Sequence, residues 1–165
     1  MPSGSVRDLA PVLFPEFVEA NGHVFAKCAA SKTAVVNRRR ALIPEWKGLD
    51  RTGVEAFENH LHILDVFRHD PKVWSKRLQR YRTAHPDFVA AETLGKAIAH
   101  VWFARLLREF PRYRFRVYYT RDGDPTVRFH RVYRGEPVWL DEHDWQQDIQ
   151  AGRLLVLDTK PIPDP

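Results

Sequence analysis

Residues 112–133 read RYRFRVYYTRDGDPTVRFHRVY, two alternating runs on either side of an Asp-Gly turn. Tyr113, Phe115, Val117 and Tyr119 alternate with Arg112, Arg114, Arg116 and Tyr118, and Val127, Phe129, Arg131 and Tyr133 alternate with Arg128, His130 and Val132. A period of two broken by Asp122-Gly123 predicts a β-hairpin, because such turns match the twist of the strands they join. One face then carries Tyr113, Phe115, Val117, Phe129 and Tyr133. The other carries Arg112, Arg114, Arg116, Arg128 and His130.

Upstream the period is helical. Residues 87–110 place Phe88, Val89, Leu94, Ala97, Ile98, Val101, Trp102, Leu106 and Leu107 over more than half a helical circumference, which predicts a long, central, buried helix stopped by Pro111. Thr52 with Glu55 three residues on reads as a capping box, and Val54, Phe57, Leu61, Leu64 and Phe67 follow at helical spacing until Asp70-Pro71. A second helix is predicted from Pro71 to about Arg82, with Val73, Trp74, Leu78 and Tyr81 on one side. Before these, Pro2, Pro11 and Pro15 predict loop with a turn of helix at 16–20, Asn21-Gly22 a turn, and His23–Ala30 a strand. After the hairpin come a short helix from Asp141 or Glu142 to Asp148 and a last strand, Leu154–Leu157.

The predicted fold is α+β: a single domain, 1–165, with about three helices packed on a small antiparallel sheet that contains the C-terminal hairpin. Its regions are an irregular 1–50, a helical 51–110, and a 111–160 region of hairpin, short helix and last strand. The 165 residues carry 26 Lys+Arg against 21 Asp+Glu, net +5. Residues 101–134 hold nine basic and three acidic groups, while 135–165 hold two and seven. No stretch reaches the ~20 apolar residues that cross a bilayer, and the first ten residues do not read as a signal peptide, so the expected location is the cytoplasm. Isolated glycines form neither a P-loop nor a dinucleotide turn. A single cysteine, Cys28, excludes an internal disulfide and reads as a small buried hydrophobe.

Three functional readings follow, in order. The first is a non-catalytic binding or accessory protein that engages an anionic macromolecule, nucleic acid or acidic protein, through Arg112, Arg114, Arg116, Arg128 and His130. Guanidinium forks at strand spacing suit phosphate or carboxylate, and interleaved aromatics suit bases. Arg38–Arg40 and the Lys76, Arg77, Arg80, Arg82 cluster extend the basic character. Against this, the acidic 141–148 segment is able to cap the Arg face. The second reading is a small partner or inhibitory protein docking through Trp46, Trp139 or Trp145. The third is a metal-dependent enzyme built on Glu58, His62, Asp65 and His69, whose four-, three- and four-residue spacing lines them along one stripe of the first helix. Such stripes are also what any solvated helix face displays, so no metal and no cofactor is expected. His100, alone in the long helix, has no partner constellation and is given no role.

Overall fold

The computed structural model describes residues 6–27, 48–66 and 69–158; Cys28, Arg38–Arg40 and Trp46 lie outside them. In chain order the elements are α1 (Val6–Leu13), β1 (Glu16–Ala20), β2 (His23–Lys27), α2 (Arg51–Glu58), β3 (His60–His62), β4 (Trp74–Ser75), β5 (Arg80–Tyr81), α3 (Pro86–Glu109), β6 (Phe115–Thr120), β7 (Thr126–Arg131), α4 (Gln146–Gln150) and β8 (Leu154–Asp158). The main sheet is antiparallel, in the order β3-β7-β6-β8. Two hairpins stand apart from it, β1-β2 and a short ribbon, β4-β5. The fold is α+β, as the sequence predicts.

The long helix α3 runs 24 residues and lies across one face of the sheet. Phe88, Ala91, Ile98, Ala99, Trp102 and Leu106 meet Phe115, Val117, Tyr119, Val127 and Phe129 there, all buried. Edge-to-face contacts of Phe17 with Phe129 (5.5 Å) and Trp102 with Phe129 (5.8 Å) tie β1 into this core. The Trp102 indole donates to the Val12 carbonyl at 2.9 Å, fastening α1 to the same helix. Fully burying each large apolar side chain of this core contributes roughly 1.5–3 kcal/mol before the entropy cost is subtracted.

Gly95 is the closest approach of α3 to the sheet. A Cβ there would lie 2.7 and 2.9 Å from two carbons of the Tyr119 ring and 3.2 Å from Ile63. Tyr119 is fully buried, so its ring has nowhere to swing. Alanine normally stabilises a helix interior over glycine by about 1 kcal/mol, whereas overpacking costs about 1–3 kcal/mol. Gly95→Ala is therefore expected to lower the urea midpoint; a midpoint equal to or above the parent's would show that the helix–sheet contact yields.

Five sequence expectations are corrected. The helix predicted from Thr52 to Phe67 ends at Glu58. Asn59 turns its side chain to β2, accepting from Ala26 N (3.0 Å) and donating to Val24 O (2.8 Å), and His60–His62 then pairs with β7. Asp50, not Thr52, caps this helix, accepting from Gly53 N at 2.6 Å. The helix predicted over Pro71–Arg82 is instead a single 3-10 turn, Pro71–Val73, followed by the ribbon. On a helix Lys72, Lys76 and Arg80 would stack at successive i, i+4 positions, where like charges repel. The turn of helix expected at 16–20 is strand β1, joined to β2 through the predicted Asn21-Gly22 turn, with φ of 53° and 78°. The short C-terminal helix begins at Gln146, later than the expected Asp141 or Glu142.

Candidate binding surface

The hairpin pairs as its alternation predicts, with Arg116 opposite His130 and Tyr118 opposite Arg128. The face that carries these residues is not open. Residues following β7 fold back over it, and Tyr118 and His130 are fully buried. Arg114 grips Asp158 bidentately, with Nε at 2.7 Å. Arg116 lies between Glu142 (2.7 Å) and Asp158 (3.2 Å). Burial pushes the Asp158 carboxyl up, but hydrogen bonds and charge from Arg114 and Arg116 outweigh it and hold its pKa below the usual aspartate value. The acidic segment thus supplies one cap, Glu142, and the last strand supplies the stronger one.

His130 is held neutral chiefly by burial, which lowers its pKa. Its Nδ1 bonds the Arg131 carbonyl (2.7 Å), so Nε2 is left to accept from the Tyr118 hydroxyl (3.1 Å). Arg128 stacks on the Trp139 ring at 4.6 Å and has no carboxylate within 4 Å among the described residues. Arg112 is exposed, 5.6 Å over the Tyr113 ring. The five predicted residues therefore share one sheet face or its rim, but two guanidinium groups are neutralised and the imidazole reaches no solvent.

The Glu58, His62, Asp65, His69 stripe is dispersed, since a helix end, a strand, a 3-10 turn and the chain beyond it carry the four residues. Among the described residues no group of three or more His, Cys, Asp or Glu is placed to hold a metal ion. His62 instead meets Asp124, with Nδ1 3.1 Å from Oδ2. Thr126 donates to the Asp124 carbonyl (2.8 Å), leaving the His62 Nδ1–H for the carboxylate. Burial, helped by the charge of Asp65, raises the Asp124 carboxyl above its usual value, while His62 and His69 oppose the rise.

Among the described residues the densest run of unneutralised charge lies elsewhere. Between Pro71 and Pro86 the sequence has five cations, Lys72, Lys76, Arg77, Arg80 and Arg82, and no carboxylate. All five are exposed, and among the described residues none has a carboxylate within 4 Å. They decorate the β4-β5 ribbon, whose cross-strand pair Trp74 and Tyr81 packs edge to face at 4.8 Å. Tyr81 is anchored in turn on Phe88 of α3, 6.0 Å away.

Beneath the ribbon lies a cleft of about 710 Å³, walled by Trp74 and Tyr81 on one side, Trp145 on another, and the hairpin turn Thr120–Asp124. Arg80 borders it unpaired. Arg121 and Arg153 also line it, each bound to a carboxylate, Glu92 (3.1 Å) and Asp148 (2.6 Å). A volume near 700 Å³ lies within the range of small-ligand sites, roughly 300–1,000 Å³. The basic cluster at 76–82 is visible in sequence, but its alliance with Trp145 and Arg153, some seventy residues on, is not. The one local signal is a sixteen-residue run with five cations and no acid.

Compared with known protein families, curated proteins and solved structures, the chain matches none.

Proposed function

We propose that this protein binds an anionic macromolecule without catalysis, that the macromolecule is a nucleic acid, and that the β4-β5 ribbon with its adjoining cleft is the contact surface. The observation that carries the reading is the uncompensated ribbon: five exposed cations with no carboxylate among them, beside aromatic rings able to stack on bases. The Arg row of the hairpin is the weaker candidate, because Asp158 and Glu142 already occupy the forks that a phosphate would use.

Five phosphate contacts imply a log–log salt slope of about −3.5 on a single strand and about −4.5 on a duplex, so that affinity for an oligonucleotide falls roughly 100- to 500-fold between about 50 and 200 mM salt. Titration of a labelled oligonucleotide across that range tests this. Absence of binding to both DNA and RNA at about 50 mM salt removes the reading.

A second reading has its own support. Trp139 is 42% exposed and, with Leu49, borders a smaller hollow of about 270 Å³. Tryptophan at such a rim is a common interface anchor, which suits a protein partner. The two readings separate by substitution, since charge reversal on the ribbon disables the first and Trp139→Ala the second.

A further inference from the structure

The geometry points to single-stranded nucleic acid, with one unstacked base seated in the cleft and the phosphates running along the ribbon; this rests on the binding function proposed above. The charges sort in that sense. The ribbon is cationic throughout, whereas the cleft balances its arginines with Asp122, Asp124 and Asp148. A phosphate inside would meet carboxylates, two of them on the hairpin turn. A base would meet ring faces and carboxylate oxygens able to accept from its amino or imino groups.

Trp74 is 36% exposed and offers ring surface at the mouth, held by Tyr81 behind it. Trp145, half-buried, faces the same space from the other wall. The cleft volume admits a nucleotide with room for its sugar. In a duplex the base faces are stacked on their neighbours, so a duplex would touch the ribbon alone.

The test compares three probes of equal length and charge per strand over the same series of salt concentrations: a mixed-sequence DNA single strand, the same strand in a duplex, and a strand with abasic sugars throughout. Stacking of a base on an aromatic side chain carries about a ten-fold share of affinity or more. The base-bearing strand is expected to bind about ten-fold more tightly than the abasic strand, with the same salt slope, and more tightly than the duplex. Trp74→Ala should erase the difference between the base-bearing and abasic strands, and Trp74→Phe should restore most of it. Should Trp74→Ala fail to fold, the abasic comparison decides with the protein unaltered. Equal affinity for all three probes overturns base insertion and leaves the polyanion reading standing. No binding to any of them overturns both.

Discussion

Glu55→Ala is expected to destabilise the protein by about 3–5 kcal/mol near pH 5, lowering the melting temperature by roughly 10 °C or more. The Glu55 side chain is fully buried and receives three donors from distant segments. Val24 N donates at 2.7 Å, the Tyr133 hydroxyl at 2.6 Å, and Arg131 N bonds the second oxygen. One carboxyl group therefore joins β2, α2, β7 and Tyr133 just beyond β7. Removing it leaves one buried and one part-buried backbone N–H unpaired, costing up to about 1–3 kcal/mol each, plus the cavity. The Tyr133 hydroxyl alone has another acceptor, Gly22 O at 3.0 Å.

The pH dependence of this loss carries a definite sign. Burial pushes the Glu55 carboxyl up to about 7, against hydrogen bonds from Arg131, Tyr133 and Val24 that pull it down. The folded protein then holds this proton more tightly than the unfolded chain. Its stabilising share is fully present below the unfolded value near 4.5 and is lost as pH rises through 7, an upper bound of about 3 kcal/mol. His23, His60 and His130, lowered chiefly by burial, act in the opposite direction as they lose their protons. Total stability therefore hides the effect, and the difference between parent and variant exposes it. That difference, from urea unfolding at several pH values, should shrink between pH 5 and pH 8. A difference that grows over this window would mean that the three donors, not burial, set the Glu55 pKa.

Glu55 also shows where sequence reading stops. Its spacing from Thr52 matches a capping box, and a local rule has no means of seeing Val24 or Arg131. Thr52 N and its hydroxyl are in fact served by Glu136, at 2.9 and 3.1 Å, from 84 residues away. The hairpin, the long helix and the Asn21-Gly22 turn were legible because their determinants are local: alternation, periodicity and turn chemistry. The stretch after Glu58 was not, because Leu61 and Leu64 bury against the sheet from a strand and a 3-10 turn while keeping helical spacing. The Arg face was legible as a face. Its neutralisation was not, since Asp158 lies more than forty residues from Arg114 and Arg116.

That neutralisation decides the last prediction. Reversing Lys76, Arg77, Arg80 and Arg82 to glutamate should weaken oligonucleotide binding at least a hundred-fold and flatten the salt slope by about 3. The fold should hold, because all four side chains are exposed and exposed substitutions shift stability little, within about 0.5 kcal/mol each. Arg114→Glu with Arg116→Glu should behave in the opposite way. Two new carboxylates would face Asp158 and Glu142, where Arg116 is mostly buried, at a cost of about 1–3 kcal/mol after allowance for solvent around Arg114. Binding should change little beyond the long-range loss of charge, since screening at physiological salt acts within about 8 Å and these residues flank the end of the hairpin away from the cleft. Circular dichroism melting and salt-dependent titration of both variants separate the two surfaces. If the hairpin pair stays folded and loses binding while the ribbon variant binds normally, the contact surface is the Arg row after all, reached by displacement of Asp158 and Glu142. If the ribbon variant alone loses binding, those carboxylates are fixed parts of the fold and the ribbon carries the contact.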